Sequence, residues 1–224
     1  MFAAGVFAQE RYVNPVDEAK LDLSFLAFRT KLIAAAERKD VNFIYSILDP
    51  KIQLSFGGDS GIPRFKKMWN IQSKDTKFWR EFLPVINNGG SFDRADGKRT
   101  NVFFAPYTLN SFPDDLDGFE YSVIFGSDVN LRKEPKMNSE IVARLSYNIV
   151  KVDPDVAVLD PVPDPKEQIY TGRPPEVFFW KKVTTLGGLT GFVKEDFVRS
   201  PVDYRAGFEK KRGVWKMVAF IEGD

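Results

Sequence analysis

From residue 22 onward, apolar side chains return at three- and four-residue steps: Phe25, Leu26, Phe28, Leu32, Ile33 and Ala36. That spacing gathers them on one face of a helix. Asp40 stands where an N-cap is needed for a short second helix burying Val41, Ile44, Ile47 and Leu48, and Pro50 ends it. Ile52, Leu54 and Phe56 then alternate with Lys51, Gln53 and Ser55, the two-residue period of a half-buried strand. A third helix carries Phe65, Met68 and Trp69, with Ser60 as its cap and Pro63 in a first turn that needs no N–H. A fourth is predicted over about 77–86, stopped by Asn87, Asn88, Gly89 and Gly90. Strands are predicted over 101–112 and 119–125, around the acidic turn PDDLDG. Residues 204–221 read as a hairpin turning at Arg212-Gly213. Trp215, Met217, Ala219 and Ile221 lie on one face of it, and Lys216, Val218 and Phe220 on the other.

Between 128 and 200 the pattern changes to short runs rich in Val, Ile and Phe, which predicts a separate all-β unit. Within it, the stretch from Asp153 to Glu176 holds six of the chain's 14 prolines. Prolines at that density remove ladder donors, so 153–177 is predicted to be a loop.

Composition narrows the chemistry. With 224 residues, 43% of them hydrophobic and 21 of them Phe, the chain can bury one large or two small cores. A formal net charge of +1 supplies no field to concentrate nucleic acid. No stretch approaches the roughly 20 apolar residues that span a bilayer. The chain has no His and no Cys, which removes thiol nucleophiles, Ser-His-Asp triads and imidazole or thiolate metal sites. No catalytic residue, metal or cofactor is therefore assigned. MFAAGVFAQE is similar to the end of a secretory leader, with Ala8 as the last residue before cleavage. It sets the expectation of an exported protein, periplasmic or extracellular.

Two motifs carry a family resemblance. Val129-Asn130-Leu131-Arg132, a polar turn through Pro135, and Ile141-Val142-Ala143-Arg144-Leu145 resemble the opening of a bacterial Src-homology-3 (SH3-like) domain. Trp180-Lys181-Lys182-Val183 followed by Gly188-Leu189-Thr190-Gly191-Phe192-Val193 resembles its second half. The Pro-rich segment 153–177 departs from the family, which has a short loop there. More faintly, the N-terminal helices and the terminal hairpin resemble a nuclear-transport-factor-2-like cone. The resemblance implies an α+β protein: a helix-rich domain with a small sheet over 9–120 plus 201–224, a small barrel over 121–200, and a leader remnant over 1–8.

Candidate sites follow. Gly57, Gly58, Asp59 and Ser60 precede a helix and can aim backbone N–H groups at an anion, or serve only as a turn and cap. Asp114, Asp115, Asp117 and Glu120 lack the spacing of a calcium loop. Trp180, Phe192, Tyr147 and Tyr170 are aromatic ligand-binding candidates on the barrel, with Phe178 or Phe179 beside them. Trp69, Phe104 and Tyr107 are candidates for a pocket in the N-terminal domain. The family resemblance implies non-catalytic binding of cell-wall peptide or an envelope protein. A carboxylate-dependent glycan hydrolase, using two of Asp59, Asp75 and Glu81, and a small-ligand pocket in the N-terminal domain stand as alternatives.

Overall fold

A computed structural model describes residues 9–159 and 179–223. The chain divides into two compact units, one of Met1–Asn14 with Pro113–Pro201 and one of Pro15–Phe112 with Val202–Asp224.

The second unit is built on a five-stranded sheet in the order β1-β12-β11-β3-β2. Its strands are β1 (Leu48–Gln53), β2 (Ser91–Ala95), β3 (Lys98–Ala105), β11 (Arg205–Lys211) and β12 (Val214–Ile221). Four helices belong to it: α1 (Leu23–Glu37), α2 (Val41–Ile47), α3 (Ile62–Trp69) and α4 (Phe78–Asn87), with the single turn α5 (Thr108–Ser111) after β3. Asp22 caps α1 by accepting from the Ser24 and Phe25 N–H groups, and Asp40 caps α2 by accepting from Phe43 N at 2.9 Å. Phenylalanines fill the core in two linked groups. Phe25 packs edge-on or tilted against Phe92, Phe103, Phe208 and Trp215, while Trp69, Phe78, Phe82 and Tyr204 surround Phe220. Arg29, on the buried side of α1, donates to the Ile86 carbonyl and pairs with Asp17.

The first unit holds a seven-stranded sheet in the order β10-β4-β7-β8-β9-β5-β6. Its strands are β4 (Tyr121–Ile124), β5 (Val129–Arg132), β6 (Ile141–Leu145), β7 (Ile149–Leu159), β8 (Phe179–Thr185), β9 (Thr190–Lys194) and β10 (Val198–Arg199). A small aliphatic core of Ile124, Val129, Leu131, Leu145, Val150, Val183, Val193 and Val198 packs against one face. Residues 10–13 are sewn to the same unit. Val13 N donates to the Tyr147 carbonyl, Ile149 N to the Arg11 carbonyl, and Arg11 forms a two-pronged ion pair with Asp115.

This architecture corrects the expected fold class. Strand outweighs helix among the described residues, so the protein is not helix-rich with a small sheet. Nor does a barrel close among them. The seven-stranded sheet ends at β6 and at the two-residue β10, which are not paired to each other.

Local corrections explain the difference. Asp96 and Gly97, both at positive φ, turn the chain between β2 and β3, a hairpin the pattern analysis did not predict. β1 begins at Leu48 and runs through Pro50, which the sheet tolerates because β1 is an edge strand. β3 stops at Ala105, before a cis Pro106, and does not reach residue 112. β7 continues to Leu159 across Pro154, with its register to β8 interrupted between Val152 and Ala157, so the predicted loop begins later than 153. Its remainder lies outside the described residues, as do the leader-like stretch 1–8 and Tyr170. No described helix is long and apolar enough to cross a membrane.

Candidate binding cleft

Alternation along β5 decides what each face carries. Val129 and Leu131 join the aliphatic core, so Asn130 and Arg132 point to the opposite face. Cross-strand pairing extends that outer face: Arg132 stands opposite Phe192 on β9, Phe192 opposite Lys182 on β8, and Lys194 opposite Trp180. A cleft of about 150 Å³ opens here, lined by Val129, Asn130, Arg132, Met137, Trp180, Lys194 and Phe197.

The walls are held by short-range bonds. Met137 lies in the β5–β6 loop, where Lys133 N donates to the Glu140 carbonyl, Glu134 N to Ser139 Oγ, and Arg132 Nη1 to the Ser139 carbonyl at 2.8 Å. Glu134 pairs with Lys136, whose hydrogen bond and charge hold the carboxyl below its ordinary value. Phe197 ends a 3-10 turn over Glu195–Phe197, and its carbonyl accepts from Phe125 N at 2.8 Å. On β8 and β9, Lys181 pairs with Glu195.

Two of the lining residues carry a buried polar atom without a hydrogen-bond partner among the described residues: Trp180 Nε1 and Asn130 Oδ1. Trp180 is only 1% exposed, yet it is not one of the eight side chains of the unit's aliphatic core. A buried donor and a buried acceptor left unmade each cost about 1–3 kcal/mol, so a group that satisfies both is favoured at this place. Among the described residues the lining thus includes one residue with an unmade donor, one with an unmade acceptor and two cationic side chains beside apolar groups, and no carboxylate.

The structure separates the other candidates. Phe192 lies on the same outer face but does not line the cleft. Tyr147 occupies a turn at φ 59°, its backbone engaged by Gly126 and Val13, away from the cleft lining. Phe179 is exposed, and Phe178 lies outside the described residues. Trp69 packs into the helical core against Phe78, Tyr204 and Phe220, and its Nε1 has no partner among the described residues. Phe104 lies over Gly207, and neither it nor Tyr107 belongs to the cluster that holds Trp69. The three expected pocket residues are therefore not gathered into one core cluster.

The glycine turn is used internally. Leu54 N donates to the Asp59 carbonyl, Gly61 N to the Ile52 carbonyl, and Asp59 N to Ser55 Oγ. Gly61 at φ 89° stands at the N-cap of α3 with no side-chain cap, so neither Asp59 nor Ser60 caps it. The Asp59 carboxylate instead grips Arg64 at 2.8 Å. Asp115 is taken by Arg11, and Glu81 by Arg80. No cluster of three or more metal-ligating side chains occurs among the described residues.

Sequence reasoning placed Trp180 among its candidates but passed over Asn130, Arg132, Met137, Lys194 and Phe197 as site residues. The available signal was alternation: once Val129 and Leu131 are assigned inward, Asn130 and Arg132 must face out. Comparison with family models, with curated proteins and with solved structures finds no match for the chain.

Proposed function

We propose that this protein is a non-catalytic binding protein of the bacterial cell envelope, taking cell-wall peptide in the cleft on the outer face of the seven-stranded sheet. One observation carries the binding reading: an apolar cleft whose lining includes an unpartnered indole N–H and an unpartnered amide oxygen. A peptide supplies both complements, a carbonyl or carboxylate for Trp180 and an N–H for Asn130. Among the described residues the lining holds no carboxylate of the kind glycoside hydrolysis uses in pairs. The envelope assignment rests on the leader-like MFAAGVFAQE stretch and on the wall ligand that the sequence resemblance implies.

The test is co-sedimentation of the protein with purified cell-wall sacculi, beside Met137→Asp. Met137 is 45% exposed on the wall of the cleft, so the change adds a charge there without opening the core. Pelleting of the wild type and its loss in the variant is the expected result. Failure of the wild type to pellet overturns the wall ligand. Equal pelleting of both proteins moves the wall-binding surface elsewhere.

A further inference from the structure

Building on that reading, we infer that the cleft recognises the C-terminal residue of a peptide through its free carboxylate. Charge pairing around the cleft is the first ground. Lys133 pairs with Glu140, Lys136 with Glu134, Lys181 with Glu195 and Lys182 with Asp153. Arg132 differs from all of these: its guanidinium donates to the neutral Ser139 carbonyl and meets no carboxylate among the described residues. That bond orients the group at the cleft wall while leaving further N–H donors on the fork.

The second ground is the polarity of the unsatisfied atoms. A guanidinium and an indole N–H both seek an acceptor, and a carboxylate offers two oxygens with room for both. Asn130 Oδ1 seeks a donor. The terminal residue of a peptide joins these requirements in one small group, with an amide N–H and a carboxylate on the same α-carbon. An internal peptide residue has the N–H but no charge. A neutral sugar has hydroxyls but no charge. A simple inorganic anion has the charge but no N–H for Asn130. Apolar walls from Val129, Met137 and Phe197 strengthen each contact by lowering the local dielectric.

The experiment uses the full chain and two probes, acetyl-alanyl-alanine with a free carboxylate and the same dipeptide as its C-terminal amide. Binding is read from the Trp180 indole N–H resonance, assigned with Trp180→Phe. The free acid is expected to move that resonance and to bind roughly tenfold more tightly than the amide, the size of one charge-assisted hydrogen bond at a partly exposed site. Arg132→Gln should erase the difference between the two probes. Because Arg132 also holds the β5–β6 loop, Arg132→Lys serves as the second variant: it keeps the charge without the fork and should narrow the ratio without erasing it. The advantage should shrink in high salt. Equal affinity for acid and amide overturns carboxylate recognition while peptide binding in the cleft survives. No movement of the resonance by either probe at about 10 mM, far above the range where one such contact registers, overturns the inference as well. The sacculus assay then decides separately whether the wall is the ligand.

Discussion

Trp180 on β8 and Lys194 on β9 are paired directly across the seven-stranded sheet, so an indole and an ammonium stem share one wall of the cleft. The indole is buried while its N–H lacks a partner, and the consequences for packing and for polarity can be measured separately.

Trp180→Phe and Trp180→Ala should differ sharply. Removing the whole side chain leaves a cavity and should cost about 3–5 kcal/mol. Phenylalanine keeps most of the packing, and losing the unmade donor offsets part of the smaller cavity, for a net loss below about 2 kcal/mol. Urea unfolding followed by a probe confined to the 113–201 unit measures both, since each unit has its own core and the whole chain need not unfold in one step. Similar costs for the two variants would contradict this account.

Gly90→Ala should be among the most damaging single-methyl changes in the second unit. Gly90 has φ 145°, and an added Cβ would come within 2.1 Å of the Phe104 carbonyl oxygen and 2.7 Å of the Phe103 ring. Backbone cannot yield as a flexible side chain does, so strain and misfit should exceed about 2 kcal/mol. Gly97→Ala serves as the control, because its Cβ meets nothing within 4 Å and only the φ of 73° opposes it. Thermal melts of the two variants provide the comparison.

Acid sensitivity should depend in part on Asp49. Burial pushes its carboxyl up, but the hydrogen bond and charge of Lys211 and the Lys51 N–H outweigh that and hold it below its ordinary 3.8. A depressed carboxyl contributes stability above its unfolded value and loses it as pH falls through the folded value. Lys211 is raised by the hydrogen bond it donates to Asp49, so its share persists until the pH passes 10.5. Asp49→Asn should therefore cost about 1 kcal/mol at neutral pH, discounted because Lys211 is 41% exposed. The deficit should close as the pH drops below 3.8. Stability curves from pH 2 to 9 check the sign, and a deficit that persists in acid would refute it.

Phe220→Ala should cost about 3–5 kcal/mol, whereas Val218→Thr should change stability by less than about 1 kcal/mol. Gly207 pairs with Ala219 and Phe208 with Met217, so Val218 is an extra residue on β12. The bulge flips the alternation: Trp215 and Met217 face the core, and so does Phe220. Equal tolerance of the two substitutions would contradict that bulge. Chemical denaturation of both variants distinguishes the cases.

That bulge shows what the sequence conveys and what it hides. Strict alternation assigned Phe220 to the face opposite Met217, and no residue between them announces an insertion, since Val218 and Ala219 suit either face. Asp40 was more informative, because a cap acts within three residues of itself. The β2–β3 hairpin was written plainly as Asp96-Gly97, the strongest short-range turn signal, but the charged neighbours Arg94, Lys98 and Arg99 masked the strands beside it. At the cleft, Trp180 stood out as a large aromatic. Asn130 and Arg132 are ordinary surface residue types, and only the pairing of β5 with β9 brings Arg132 near the Trp180 strand. Pairing between segments sixty residues apart is a tertiary fact that local pattern does not carry.

The order β1-β12-β11-β3-β2 has a consequence for how the protein is made. β1 meets the rest of its sheet only through β12, and β12 meets β3 only through β11. On the ribosome, residues 48–53 therefore wait with one strand edge bare until residues 205–221 have emerged, while every strand of the 113–201 segment is already available to pair. A chain truncated near residue 200 and released should leave Ile52 and the buried aromatics of α3 open to chaperones and proteases for want of the closing hairpin.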